Sequence, residues 1–427
     1  ECQVLRTKCN YQMSKLIIQN GNMCELDLPL KFAQKLYNEF AIRHPNAFYL
    51  RTRQRGMQNW DGKIHYITKT GQFKIGLLPK VYDMCIEMGI KPKVVDMRQP
   101  LPKVSKVVTN IGKYKLRPEQ EKAVKAVINN KIGNTPFHIG VLDYTVNAGK
   151  TLIMSSLYLS YKKQLKTLLI TNDSDWLNQA REEFKQYLPG EDITFVQGKV
   201  LNWSNFTIGM VQSISRNMRF YQKELSQIDM VLIDEADQGG SKQYQNVITR
   251  LFNTRIRIGL SGTIYMSKLA KDKVKNMNLE CFFGKVIAEF KLKDSIKKGY
   301  STKTVVKMVP GKPWYGNWES DCISYKEIYD DSITNCYTAW LMAYNRLLWN
   351  LNQGRYPALV VCKHIAHCEN LYKFFKKKLG DAYNIAYVHV NTPSKLRQQI
   401  MKDFREGKID ILVSTTIIAR GKNFPKL

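Results

Sequence analysis

At 427 residues the chain is too long for one ordinary domain, and two to four are expected. Hydrophobic residues make up 44%, with 23 Tyr, 17 Phe and 7 Trp, which supplies packed cores and excludes a disordered chain. Lys and Arg number 66 against 36 Asp and Glu; the resulting +30 points to a polyanionic partner, nucleic acid first, and an anionic membrane is discounted because no apolar run reaches the roughly 18–20 residues of a spanning helix.

The nine Cys form no paired CxxC knuckles and read as reduced thiols, so a cytoplasmic location is expected. No signal peptide opens the chain, and a start at Glu1 rather than Met implies residues upstream.

Residues 1–106 are basic and aromatic and read as a small α+β nucleic-acid-binding domain. Arg51, Arg53 and Arg55 alternate with Leu50, Thr52 and Gln54, a period of two that places three guanidiniums on one face of a strand. Trp60 and Lys63 follow across a short turn. Such cations track phosphates, and an exposed aromatic can stack on a base or wedge at a junction. The plainer alternative is a solvated strand with Trp60 in the core. A Pro-marked, Lys-rich linker runs from Met97 to Lys106.

Residues 107–296 alternate short apolar strands with helical stretches, the pattern of a parallel α/β sheet. Strands are expected at Ile139–Leu142, Thr167–Thr171, Thr207–Val211, Met230–Ile233 and Arg257–Leu260. The alternation starts again in residues 297–427, with strands at Ala358–Cys362, Ala386–Val390 and Ile409–Ser414 after a helical stretch from Tyr325 to Asn352. A loop with two Trp, Pro313–Trp318, either packs locally or touches nucleic acid. Cys362, His364, His367 and Cys368 form a ligand-rich cluster, but a strand followed by a helix does not bring the four side chains to one zinc ion.

The sharpest local signal is Tyr144-Thr145-Val146-Asn147-Ala148-Gly149-Lys150-Thr151, between an apolar strand and a helix. Strand, tight loop and helix are what a phosphate loop requires. Loop N–H groups and the helix N-terminus favour phosphate oxygens, Lys150 reaches the β- and γ-phosphates, and the Thr151 hydroxyl ligates Mg²⁺. The usual pattern has Gly six residues before the Lys, where this chain has Tyr144. Met230-Val231-Leu232-Ile233 then runs into Asp234-Glu235-Ala236-Asp237. Carboxylates sit at the C-terminal edge of a buried strand, where open α/β sheets bind ligands. Asp234 is placed to hold Mg²⁺ and Glu235 to polarise the attacking water.

In this order the motifs resemble those of helicase superfamily 2. Leu116-Arg117-Pro118-Glu119-Gln120 is similar to the upstream element that meets the adenine, which implies nucleotide contact by Arg117, Gln120, Asn147, Ala148 and Gly149. Asp234–Asp237 spells the DEAD box, and Ser261-Gly262-Thr263 resembles the third motif, which implies a coupling role for Ser261 and Thr263. Val413–Pro425 resembles the fifth motif; there Gly421 and Asn423 would approach the nucleotide and Arg420 would couple, although Asn423 stands where many relatives have Asp. Relatives grip a nucleic-acid backbone with the loops that here hold Asn172, Gln212, Ser213, Thr415 and Thr416. Within the superfamily, Asn59–Ile64, Gly76–Leu78, Phe283–Val286 and Lys363–His367 resemble the branch-migrating helicases of T-even phages.

The resemblance implies two tandem RecA-like lobes, the second incomplete, preceded by the small α+β domain. It also implies an ATP- and Mg²⁺-dependent monomer that remodels forks, Holliday junctions and R-loops, with recombination or replication proteins as possible partners. A sixth motif carrying an arginine finger is expected beyond Leu427. An RNA helicase, a restriction-type translocase and an ATP-binding DNA clamp without turnover are the alternatives.

Overall fold

The computed structural model describes residues 14–54, 56–161, 164–198, 200–264, 270–303, 305–308 and 324–418. The chain divides into two compact units, Glu1–Lys303 and Thr304–Leu427.

The first unit is built on an eight-stranded sheet. Its order is Val200–Leu201, Ile193–Gln197, Phe206–Met210, Thr167–Thr171, Met230–Asp234, Ile256–Ser261, His138–Tyr144 and Val286–Phe290. Every pairing is parallel except the first, which is antiparallel. The central strands are buried on both faces, which is why they read as unbroken apolar runs. Helices Pro118–Ile128, Lys150–Ser160 and Ser174–Tyr187 contribute to the core on one face.

The core on the other face is shared with the amino-terminal region. A four-stranded mixed sheet, ordered Gln72–Lys74, Met23–Asp27, Lys15–Ile18 and Lys93–Asp96, sends Leu16, Ile18 and Cys24 into the same apolar cluster as Ile139, Val231 and Phe283. Two glycines permit the approach. A Cβ on Gly21 would lie 2.6 Å from the Leu251 carbonyl oxygen, and one on Gly76 would lie 2.1 Å from that of Glu280. Between them Arg257, wholly buried, donates to the carbonyls of Phe282 (3.1 Å) and Gly21 (2.6 Å) and to Asn22 Oδ1 (2.8 Å). Burial, and secondarily the charge of Arg98, lowers its pKa to about 9.

The expected strand through Arg51 and Arg53 is a helix, Ala47–Arg53, and Arg55 lies outside the described residues. The alternation of basic and neutral residues suggested a period of two. The helix wins because its C-terminal carbonyls favour cations in the last turn and because Arg53 lies over the Tyr49 ring one turn back, at 5.2 Å. Arg51 and Arg53 therefore diverge instead of sharing a face.

The second unit carries a parallel three-stranded sheet, ordered Ala358–Cys362, Ile411–Thr415 and Ile385–Val388. The long helical stretch expected before it is divided into Tyr325–Tyr329, a π-helical turn Asp330–Thr334 and Tyr337–Asn352. Cys362 and Cys368 are buried, and Tyr329 packs edge-on against His364 and His367. No described helix is long and apolar enough to cross a membrane.

Arg257→Met should destabilise the first unit by about 3 kcal/mol in urea unfolding, because it leaves buried acceptors unpaired across the junction; a change under 1 kcal/mol would remove this residue as the tie.

Candidate nucleotide site and nucleic-acid surfaces

Tyr144 explains the missing glycine. It is the last residue of the strand His138–Tyr144, wholly buried, with its ring 6.0 Å from Phe290 and its hydroxyl donating to the Glu119 carbonyl at 2.8 Å. The tight turn starts after it. Asn147 (φ 61°) and Gly149 (φ 72°) take left-handed conformations there, and Lys150 opens the helix Lys150–Ser160. Close approach is met by glycine elsewhere: a Cβ on Gly262 would stand 3.2 Å from Thr145 Cα, and one on Gly149 would lie 2.2 Å from Gln120 Nε2. Gln120 fastens the loop to the upstream element. Its Oε1 accepts from the Arg117 N–H (2.8 Å) and its Nε2 donates to the Ala148 carbonyl (2.9 Å).

The strand Met230–Asp234 delivers the acids to the same edge. Lys150 Nζ stands 4.0 Å from Asp234 Oδ1, beyond hydrogen-bond range, and that buried oxygen has no hydrogen-bond partner among the described residues. Burial raises the Asp234 pKa; Lys150 and the Glu235 N–H oppose this, while Asp237 and Asp173 add to it. An orphaned carboxylate oxygen facing an ammonium across a gap suits a hard divalent cation with phosphate oxygens, so the residues fit Mg²⁺ and a triphosphate. Thr151 follows Lys150 at the helix start. Glu235 adopts a left-handed backbone (φ 51°), which turns the chain sharply out of the strand. Ser261 donates to Asp237 Oδ1 (3.1 Å) and accepts from the Thr263 N–H (3.1 Å), joining the third motif to the acids.

Sequence reasoning missed Asp143, Lys291, Lys298 and Tyr300 as neighbours of the site. Asp143 pairs with Lys291, Glu119 pairs with Lys298, and Arg117 lies over the ring of Tyr300 at 4.1 Å. Only Asp143 left a local signal, an acid at the end of an otherwise apolar strand. The others come from more than a hundred residues away.

The residues expected to grip nucleic acid separate. Asn172 donates to Gln238 Oε1 (2.9 Å) and its carbonyl accepts from Gln212 Nε2 (3.2 Å), a chain along the edge that holds the acids. Ser213 is buried and accepts from the Gly198 N–H at 2.9 Å, so its hydroxyl braces a loop. Thr415 is buried at a strand end and Thr416 is exposed. Trp60 is half-buried, donates to the Lys63 carbonyl (2.9 Å) and meets His44 edge-on. The exposed aromatics are instead Phe48 (80%) and Tyr49 (56%) on the basic helix. Arg43, Phe48, Arg51, Thr52, Asp61 and Lys63 line a cavity of about 520 Å³. Arg420, Gly421, Asn423 and the loop Pro313–Trp318 lie outside the described residues.

Two family models match this chain: the res subunit of type III restriction enzymes over residues 113–266, and the helicase conserved C-terminal domain over residues 341–427. The chain belongs to helicase superfamily 2, a class of ATP-dependent enzymes. Among curated relatives, competence protein ComFA of Bacillus subtilis is 22% identical over 66% of this chain and 53% of its own length. ATP-dependent RNA helicase RhlB of Shewanella woodyi is 36% identical over 18% of this chain and 17% of its own. The chain thus spans about half or less of these relatives. Two crystal structures of the UvsW helicase of bacteriophage T4 share the fold, both at a TM-score of 0.51. One covers 97% of this chain and 82% of its own at 19% identity, the other 65% and 99% at 21%.

The raised Asp234 pKa means that the folded state favours the protonated carboxyl, so the ionised form costs stability at pH values above the ordinary carboxylate range. Asp234→Asn should therefore raise the melting temperature of the nucleotide-free protein by a few degrees, on the order of 1 kcal/mol, while Mg²⁺-dependent ATP hydrolysis falls at least about 100-fold. A lowered melting temperature would contradict this electrostatic account.

Proposed function

We propose that this superfamily 2 protein is an ATP-dependent DNA translocase that remodels branched DNA during phage-type recombination, replication and repair. The observation that carries the reading is the 4.0 Å gap between Lys150 and the unpartnered Asp234 oxygen, at the sheet edge where the strand-end amides also lie.

Lys150 draws the β- and γ-phosphates into the turn, and the N–H groups at the helix start meet their oxygens. Thr151 and Asp234 would hold Mg²⁺, which would supply positive charge beside the phosphate oxygens. Gln120 and Arg117 face the base. Glu235 takes the proton from the attacking water. Asp237 reports the state of the site through Ser261, and Gln238 through Asn172 and Gln212, to the surface that holds the nucleic-acid backbone. Thr415 and Thr416, at a strand end of the second unit, meet a nucleic-acid backbone.

DNA is favoured by likeness of fold to T4 UvsW over nearly the whole chain, amino-terminal region included. It is also favoured by the basic helix with Phe48, Tyr49, Arg51 and Arg53 beside Arg43 and Lys63. Backbone contacts of this kind recognise structure rather than sequence. The RNA reading draws on the match to RhlB, which spans 78 residues.

ATP hydrolysis measured with forked DNA, linear duplex and single-stranded RNA decides between them. Forked DNA should stimulate most, and Lys150→Ala should cut turnover at least about 100-fold while leaving most salt-sensitive DNA binding. Turnover retained in Lys150→Ala would refute the site; stimulation by RNA above DNA would refute the substrate.

A further inference from the structure

Three cations converge on one tryptophan in the second unit. Trp349 lies on the helix Tyr337–Asn352, whose Leu347 and Leu351 are buried, so the indole, two positions away from each, stands on the opposite side and is 39% exposed. Arg346, one turn earlier on the same side, lies 4.3 Å from the ring centroid. Lys307 lies 4.9 Å from it and Arg355 5.1 Å. Arg355 is brought there by the way the helix ends. Gly354 (φ 67°) turns the chain back, and the Arg355 N–H donates to the Asn350 carbonyl at 3.0 Å.

None of the three cations has an ion-pair partner among the described residues. Nor does the sequence offer a local one, since residues 332–368 contain no Asp or Glu. Like charges gathered round one ring repel, and the attraction of each for the indole face offsets only part of that. A bound anion would offset the rest.

The cluster is also far from the expected motor surface. It lies where the strand Ala358–Cys362 begins, whereas Thr415 pairs with Cys362 at the strand's other end, roughly 13 Å away along the strand.

We propose that Lys307, Arg346 and Arg355, ordered by Trp349, form a second nucleic-acid contact that binds the phosphodiester backbone of an arm of the substrate away from the translocated strand. The proposal rests on the nucleic-acid motor reading. Rigid guanidinium forks suit phosphate oxygens, and the indole holds them in place with little loss of freedom on binding.

The test is DNA binding by the full chain carrying Arg346→Ala and Arg355→Ala together, read by fluorescence anisotropy with a forked DNA across a salt series. Loss of two phosphate contacts should lower the slope of log affinity against log salt by about 1.8 and weaken binding on the order of tenfold or more at 0.1 M salt. ATP turnover at saturating DNA should be unchanged. The double Arg→Lys variant should restore the slope, which a packing role would not require. An unaltered slope in the Ala variant, or Lys variants as defective as Ala ones, would overturn the proposal. If the unaltered protein shows no salt-dependent DNA binding, the motor reading itself fails.

Discussion

An ammonium and a buried carboxylate held 4.0 Å apart, too far to bond and too close to ignore one another, set the character of the first unit. Burial acts against the charge on Asp234, and Lys150 relieves only part of it. The backbones that carry the two groups are anchored, Lys150 at the start of a packed helix and Asp234 at the end of a strand buried on both faces. Such a pair is completed by a charged ligand with groups of both signs, which describes a metal-bound triphosphate.

Everything near the pair serves to hold its position. Gln120 links the loop to the upstream helix, and Gly149 and Gly262 allow the backbone to pass without a side chain in the way. Asp143 with Lys291, and Glu119 with Lys298, fasten the segment after the sheet's last strand to the two flanks of the loop. On the opposite face the amino-terminal sheet shares the core, with Arg257 bonded across the junction. The basic helix Ala47–Arg53 thus belongs to the same compact unit as the candidate nucleotide site.

The central parallel strands were legible because burial on both faces leaves an apolar run with little ambiguity: Thr167–Thr171 lies where the pattern put it. Ala358–Cys362 also lies where its apolar run put it, although only Cys362 in it is buried. The acids were legible because charge at the end of such a run has few other homes. Tyr144 looked like a defect in the loop only because a spacing rule does not show where the strand ends. Arg51 and Arg53 misled because a seven-residue helix is too short for its period to outweigh a chance alternation. Tyr300, Lys291 and Lys298 were illegible for another reason: their partners lie about 150 residues away or more, and no local pattern encodes such pairs.

The account stands on what enters the gap between Lys150 and Asp234. The most direct measurement is an anomalous difference map from crystals of the protein grown with Mn²⁺ and a non-hydrolysable ATP analogue. It should place the Mn²⁺ peak about 2.2 Å from the Thr151 hydroxyl, bonded to Asp234 directly or through one water, with the Lys150 ammonium on the β- and γ-phosphates. A nucleotide bound elsewhere on the sheet, or a metal peak remote from both residues, would contradict it.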